Sequence, residues 1–281
     1  MTDLMKGKRG LIMGVANHNS IAWGAAKALA AQGAEIALTY QGEAFGRRVR
    51  PLAEEIGSKL VIPCDVEDTE SLDQVFATLK EEWGTIDFVL HAIAFSDKSE
   101  LKGLYADTTR ENFTRTMLIS CFSFTEVAKR AAEIMTNGGS MVTMSYGGAV
   151  RVMPNYNVMG VAKAALEASV RYLAADFGPR NIRVNSVSAG PVRTLAGAGV
   201  SDARLMFNFQ RRNAPMRRNT SIEEVGGAVL YLMSELSNGV TGEIHYVDSG
   251  YNIMSMPSLE ELKAQEHRKA VVEGEDESGG K

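Results

Sequence analysis

Several residue patterns that would assign the chain to a class are scarce or missing. Only two cysteines occur in 281 residues, and Cys64 and Cys121 stand alone without a Cys-x-x-Cys pair. This usage fits a reducing cytosol with buried thiols and argues against a disulfide framework. The four histidines are scattered without the spacing of a metal site, and no serine–histidine–aspartate arrangement is legible. The sequence therefore predicts no resident metal.

Charge and hydropathy argue against two further classes. The chain has 30 lysines and arginines against 34 aspartates and glutamates, a net charge of −4, and no basic block. Nucleic-acid binding is therefore not indicated. No uninterrupted apolar stretch is long enough to span a bilayer, and the first ten residues lack the apolar core of a secretion signal. We expect a cytoplasmic protein that binds neither nucleic acid nor membrane.

Short apolar runs alternate with helical patterns along the first third of the chain. This alternation implies right-handed crossovers and a parallel sheet covered by helices on both faces. The predicted strands are 10–13, 34–40, 60–64, 86–93, 140–145, 182–187 and 244–247. The sequence thus predicts an α/β fold, a single Rossmann-type doubly wound domain with a seven-stranded parallel sheet. Residues 113–135 are predicted to form one long helix.

The chain length suits one domain, which we place at residues 1–258. Residues 195–220 mix apolar, small and basic side chains, which predicts a small helical lid over a substrate. The alternative is a solvated helical pair that packs normally. Residues 259–281 hold seven acidic and four basic side chains and are predicted to be a polar, disordered tail.

The turn after the first strand has the features of a nucleotide-binding loop. Gly14 is followed by five residues and then by Ser20 and Ile21 at a predicted helix start. A small residue lets the backbone approach a pyrophosphate, and a helix N-terminus attracts anions. Ser20 is a good N-cap and could also contact phosphate. The alternative is an ordinary strand-to-helix turn capped by serine.

Two later strand ends bear on the choice of cofactor. Gln41 ends the second strand, where many NAD enzymes have an acid and NADP enzymes often have an arginine nearby. A neutral glutamine neither repels nor pairs with a 2′-phosphate, although Arg47 and Arg48 follow, so the sequence favours NADH. Asp65 and Val66 follow the third strand, near the expected adenine edge. A turn or helix cap is the competing interpretation of Asp65.

The stretch 145–163 contains the candidate catalytic pair. Pro154 predicts a helix start, because its fixed φ suits a first turn. Tyr156 and Lys163 are seven residues apart, nearly two helical turns, so both are predicted to project from one helix face. The cation is expected to lower the tyrosine pKa and make the phenol a usable acid or hydrogen-bond donor. The alternative is two ordinary surface side chains.

Three phrases carry a resemblance to a known family. SYGGA, PNYNVMG-AK and SAGPVRTLA resemble motifs of the enoyl-acyl-carrier-protein reductases of bacterial type II fatty acid synthesis. These reductases are a divergent branch of the short-chain dehydrogenase/reductase superfamily, whose usual spacing is Tyr-x-x-x-Lys. Here Gly160 lies four residues after Tyr156, and the lysine comes three residues later. The similarity runs over about residues 6–256.

Two alternatives to this family remain at the level of sequence. The first is a ketoreductase or alcohol dehydrogenase of the same superfamily, against which the seven-residue tyrosine–lysine step with Met159 inside it argues. The second is a nucleotide-sensing regulator that kept the fold and lost the chemistry. Retention of Tyr146, Tyr156 and Lys163 together argues against a regulator.

The resemblance implies a reaction and a role for each residue of the site. NADH would reduce the double bond of a trans-2-enoyl thioester on acyl carrier protein, the last step of each elongation cycle. Tyr156 would hydrogen-bond the thioester oxygen, Lys163 would hold the cofactor ribose, and Tyr146 would close the site. Superfamily members usually carry a catalytic serine near this strand end, but Ser145 is not assigned that role. The family also implies a homotetramer.

The resemblance extends to the binding residues and the partner. The implied cofactor residues are Gly14, Ser20, Ile21, Gln41, Asp65, Val66, Ile93, Lys163, Val192, Arg193, Thr194, Leu195 and Ala196. The implied substrate residues are Ser96, Tyr146, Tyr156, Met159 and Met206. Arginines of the lid, at 204, 211, 212, 217 and 218, would face the acidic surface of acyl carrier protein.

Overall fold

Seven short strands pair in parallel into one sheet in a computed structural model that describes residues 3–192, 194, 203–264 and 266. The strands are β1 (Arg9–Met13), β2 (Glu35–Tyr40), β3 (Leu60–Pro63), β4 (Phe88–His91), β5 (Gly139–Tyr146), β6 (Ile182–Ala189) and β7 (Ile244–Val247). Their order is β3-β2-β1-β4-β5-β6-β7. The order reverses between β1 and β4, where sheets of this type bind ligands. The predicted fold class is confirmed.

Helices cover both faces of the sheet, because each carries an apolar stripe of helical period. They are α1 (Ile21–Ala30), α2 (Gly42–Glu55), α3 (Thr69–Trp83), α4 (Arg110–Met117), α5 (Ser123–Ile134), α6 (Asn157–Phe177), α7 (Ala203–Asn213) and α8 (Ile222–Met233). One core cluster includes Leu72 of α3, Phe124 of α5 and Leu166 of α6. A second includes Trp23 of α1 and Val225 of α8. Within the described residues, no helix combines the length and apolarity needed to cross a membrane.

The predicted single helix at 113–135 is wrong, because a π-helical turn interrupts it. Residues Leu118–Phe122 form this turn between α4 and α5. Ser120, inside the turn, accepts the N–H of Phe95 and donates to the carbonyl of Phe95, both at 2.9 Å. Such wide turns occur mainly at functional sites. Sequence periodicity does not register one extra residue in a helical turn.

The start of α6 also differs from the prediction. The helix begins at Asn157, with Tyr156 as its N-cap, and not at Pro154. Asn155 has a left-handed φ of 56°, which asparagine tolerates, so the chain turns before the helix begins. Tyr156 therefore lies at the N-terminus of α6, and Lys163 lies about two turns further along the helix.

The predicted lid and tail are partly described. Helix α7 lies in the lid, whereas residues 195–202 lie outside the described residues. Residues 259–264 are helical, and Glu261 is buried with a carboxylate oxygen 3.1 Å from Nε of Arg212. The first part of the predicted disordered tail is thus a docked helix. Residue 265 and residues 267–281 lie outside the described residues.

The contact between α1 and α8 yields a matched pair of mutations. A Cβ on Gly226 would lie 2.6 Å from the carbonyl oxygen of Gly24, whereas one on Gly227 meets nothing within 4 Å. Gly226→Ala is expected to lower the free energy of unfolding by about 2–3 kcal/mol, because backbone atoms must move apart. Gly227→Ala is expected to raise it by about 0.5–1 kcal/mol. Urea-induced unfolding of both variants checks this, and equal effects would contradict the close helix contact.

Candidate active site

The candidate site follows the carboxyl edge of the sheet, where the parallel strands end together. Gly14 comes after β1, where it has a φ of +101°. A Cβ at this position would lie 2.1 Å from the carbonyl oxygen of Ala92, at the end of β4. Only glycine suits both the left-handed backbone and this close approach. The turn after β1 therefore lies directly against the switch point of the sheet.

Ser20 shapes this turn in a way that differs from the prediction. Its hydroxyl accepts the N–H groups of Ala16 at 3.0 Å and Asn17 at 3.1 Å. The side chain makes no capping bond to α1, so the predicted N-cap is wrong in that respect. The buried serine holds the loop curled over the start of the helix, where Ile21 is half-buried. A helix start without a side-chain cap keeps its N–H groups for an anion.

The ends of β2 and β3 come together. Gln41 donates from Nε2 to Oδ2 of Asp65 at 3.0 Å. The other oxygen of Asp65 accepts the N–H of Glu67 at 3.0 Å, so the aspartate also shapes its own turn, as the alternative interpretation held. Arg50 is held by Glu43 at 2.6 Å and lies 5.1 Å from the centre of the Tyr40 ring. The hydrogen bond from Arg50 lowers the pKa of Glu43.

A row of polar side chains on α4 and the π turn holds the segment after β4. Ile93 is half-buried there, and Ser96 is buried. The Ser96 hydroxyl lies 3.0 Å from that of Thr116 and 3.3 Å from Oδ1 of Asn112. Sequence reasoning missed the three residues that hold this segment, Asn112, Thr116 and Ser120. These polar residues recur every four positions within a partly apolar helical pattern, and this spacing was the signal in the sequence that could have identified them.

Two tyrosines meet at the end of β5. The rings of Tyr146 and Tyr156 lie 5.1 Å apart with an interplanar angle of 71°. Met159 is buried in a small cluster against which Tyr156 packs. Burial, and then the neighbouring Tyr146, raise the pKa of Tyr156 well above its usual range. Burial, and then Tyr251, raise the pKa of Tyr146 to about 12. Both side chains therefore keep their protons at neutral pH and can donate hydrogen bonds.

Lys163 does not lower the tyrosine pKa, and that prediction is wrong. Its Nζ donates to the carbonyl of Met144 at 2.7 Å, and the side chain is buried. Burial lowers the pKa of Lys163 to about 8, and Cys121 and Glu167 act in the opposite direction. Desolvation is the largest cause of the raised pKa of Tyr156, because burial disfavours a phenolate.

The remaining predicted residues lie after β6 and on α7. Val192 is buried, and Thr194 is half-buried with its N–H donating to the carbonyl of Val192 at 2.8 Å. Met206 is half-buried on α7. The predicted cofactor residues that lie outside the described residues are Arg193, Leu195 and Ala196. Among the described residues, no cluster of three or more potential ligands could hold a metal ion.

His91, at the end of β4, is completely buried beneath the site. Its ring nitrogens lie 3.1 Å from the Thr143 hydroxyl and 2.9 Å from the Ser123 hydroxyl. Burial, and then the charge of Lys163, lower the pKa of His91 to about 3. The imidazole is therefore neutral at physiological pH. Both ring nitrogens are occupied by hydroxyl partners inside the core.

A doubly wound sheet with a glycine turn after β1 and a tyrosine–lysine pair beside β5 defines a Rossmann-type oxidoreductase of the short-chain dehydrogenase/reductase class. Comparison with known sequences specifies the family. The profile described as Enoyl-(Acyl carrier protein) reductase matches residues 14–252. The chain belongs to the enoyl-acyl carrier protein reductase family, and the resemblance seen in the sequence is confirmed.

Individual relatives agree along nearly the whole chain. Enoyl-[acyl-carrier-protein] reductase [NADH] 2 of Rhizobium meliloti is 72% identical over 263 residues, 94% of this chain and 98% of the relative. The crystal structure of the reductase from Candidatus Liberibacter asiaticus matches with a TM-score of 0.90 and 58% identity, covering 92% and 100%. That from Anaplasma phagocytophilum, solved in complex with NAD, matches with a TM-score of 0.88 and 57% identity, covering 92% and 97%.

Proposed function

We propose that the protein reduces the carbon–carbon double bond of trans-2-enoyl-acyl carrier protein to the saturated acyl thioester with NADH, as an NADH-dependent enoyl-acyl carrier protein reductase in the last step of fatty acid elongation. The observation that carries this proposal is the ring contact between Tyr146 and Tyr156 at the end of β5, the strand whose Met144 carbonyl accepts from Lys163. A phenol donor suits an oxygen that gains negative charge during reduction.

The residues present fit a dinucleotide. The Gly14 turn lies tight against the end of β4 and leads into an uncapped helix start, which suits a pyrophosphate. The neutral Gln41 is paired with a carboxylate, Asp65, and the nearby Arg50 is occupied by Glu43. A 2′-phosphate would meet negative charge at this edge and no free guanidinium of Arg50. This arrangement supports NADH over NADPH.

Side chains of the protein stabilise the charge that develops on the substrate and position the proton donor. When bound, NADH supplies the hydride that reduces the β-carbon of the substrate. Tyr156 donates a hydrogen bond to the thioester oxygen and stabilises the enolate that forms on the substrate. Lys163 holds the ribose hydroxyls, and Tyr146 closes the site beside the substrate. The α-carbon then takes a proton from Tyr156 or from solvent, which completes the saturated product.

The lid supports an acyl substrate on a carrier protein. Gln210 of α7 donates to the carbonyl of Asp248 at 3.2 Å and anchors the helix beside the site. Half-buried Met206 suits an alkyl chain, because a methionine side chain adapts its shape. Among the described residues Arg212 pairs with Glu261 and Arg218 with Glu224. Of the other lid arginines, Arg217 donates to the carbonyl of Arg212, and the exposed Arg204 and Arg211 suit an acidic carrier protein.

A homotetramer in the cytoplasm completes the proposal. Large apolar side chains are exposed along α4, the π turn and α6, including Phe113, Phe122 and Tyr172, the last of them 76% exposed. Such a face suits a second copy of the chain. The thiols of Cys64 and Cys121 are free and buried, as a reducing compartment preserves them.

Oxidation of the reduced cofactor by purified protein tests the reaction. A trans-2-enoyl thioester and a 3-oxoacyl thioester are each offered with NADH and with NADPH. We expect oxidation of NADH with the enoyl substrate only. Turnover of the 3-oxo compound would identify a ketoreductase instead. If no cofactor is oxidised in any of the four assays while NADH still binds, the protein is a nucleotide-sensing regulator.

A further inference from the structure

A buried polar cluster lies directly behind the two tyrosines. Lys163 and Glu167, one turn apart on α6, hold consecutive residues of β5. Lys163 donates to the carbonyl of Met144 at 2.7 Å, and the hydroxyl of Ser145 donates to Oε1 of Glu167 at 2.5 Å. The side chains of Ser145, Lys163 and Glu167 are all buried. The next residue of β5 is Tyr146, so this cluster sets the position from which that tyrosine extends.

Glu167 is a buried carboxylate that the mechanism above does not use. A buried carboxylate is unfavourable unless nearby charges and hydrogen bonds offset its desolvation. Ser145 supplies the hydrogen bond, and Lys163 and Arg171 supply positive charge on the same helix. In return, Glu167 is a negative charge one helical turn from the ammonium group that the site needs.

We propose that Glu167 is a positioning residue that acts through Ser145 and Lys163, holding the end of β5 in place and keeping Lys163 in its ammonium form when NADH binds. The proposal rests on the proposed role of Lys163 at the cofactor ribose. Without the negative charge of Glu167, the buried ammonium group would have less to offset its desolvation. It would therefore lose its proton at a lower pH.

The groups that face the cluster come from four elements. Lys163 is faced by Cys121 of the π turn, by His91 of β4 and by Glu167. Glu167 is faced by Arg171 of α6 and by Tyr246 of β7. Burial, more than any of these, lowers the pKa of Lys163 to about 8, while Cys121 and then Glu167 act to raise it. Because this pKa lies near physiological pH, the loss of one neighbouring charge would change the fraction of Lys163 that is protonated.

Binding of NADH to Glu167→Gln, followed by cofactor fluorescence from pH 6 to pH 10, tests the proposal. The glutamine oxygen still accepts from Ser145, so only the charge is removed. We expect affinity near that of the wild type at pH 6. NADH affinity falls at alkaline pH as Lys163 loses its proton, and we call this fall the alkaline limb. In Glu167→Gln the midpoint of the alkaline limb should be lower by about one pH unit, which weakens binding about fivefold at pH 8.

Matched variants separate charge from structure. Ser145→Ala should move the alkaline limb in the same direction by less, because Glu167 loses the donor that favours its ionised form. This variant carries the test if Glu167→Gln does not fold. Lys163→Arg should abolish the limb, because a guanidinium does not titrate in this range. Glu82→Gln, an exposed change on α3, should leave the limb in place.

Two results would overturn the role of Glu167. One is a limb that stays at its wild-type pH in both Glu167→Gln and Ser145→Ala. The other is an affinity that falls equally at every pH, which would indicate a structural role alone. Neither depends on enoyl turnover. Wild-type protein that binds NADH but reduces no enoyl thioester would contradict the proposed function separately.

Discussion

Tyr156→Phe is expected to lower the turnover of an enoyl thioester by about a hundredfold to a thousandfold, while NADH should still bind. Phenylalanine keeps the ring that packs near Met159 and 5.1 Å from Tyr146, so the local structure is retained. What disappears is the donor to the oxygen on which charge develops, and removal of one such donor has an effect of about this size. The expected loss therefore falls on kcat more than on cofactor affinity.

An exposed tyrosine within α6 supplies the control. Tyr172 is exposed on the same helix, and Tyr172→Phe should leave turnover within about twofold of the wild type. Steady-state kinetics of both variants, with NADH affinity measured separately, makes the comparison. Full turnover by Tyr156→Phe would remove that residue from the mechanism. Because the pKa of Tyr156 is raised, its proton should contribute no alkaline limb near neutrality, so a limb near pH 8 would be assigned to Lys163.

Acidification from pH 7 to pH 5 should remove about 2 kcal/mol from the free energy of unfolding through His91 alone. Its pKa is lowered to about 3 in the folded chain, first by burial and then by Lys163. An unfolded histidine takes up a proton below about pH 6.5. The unfolded state therefore binds more protons in this window, and stability falls as the pH falls. The loss continues toward pH 3, where the folded state also becomes protonated.

Urea-induced unfolding at pH 7, 6 and 5 measures this slope. His91→Gln removes the titrating ring and should flatten the pH dependence, even if its stability at pH 7 is lower. His18→Gln removes an exposed imidazole and should leave the slope unchanged. Glu167 acts in the opposite direction, because burial raises its pKa in the folded state. A wild-type slope that persists in His91→Gln would show that another group binds the proton.

Much of the fold could be predicted from local patterns in the sequence. The seven strands were predicted because each is a short apolar run bounded by turn residues, and β7 has the predicted bounds. Helix α8 likewise begins at a local signal, the capping box that Ser221 forms with Glu224. The family resemblance at 145–163 was also readable, and the comparisons confirm the family. The roles of the individual site residues remain predictions, which the experiments above test.

Local patterns and turn chemistry, encoded within a few neighbouring residues, determined the class of fold, the glycine turn and the tyrosine–lysine stretch. Only the tertiary structure decided the π turn at Leu118–Phe122, the hydroxyl of Ser120 against Phe95 and the bond between Ser145 and Glu167. The two hydrogen bonds join residues that are 25 and 22 positions apart. Tertiary structure also reversed the expected pKa shift of Tyr156. Desolvation depends on everything packed around a group, and no spacing along the chain records it.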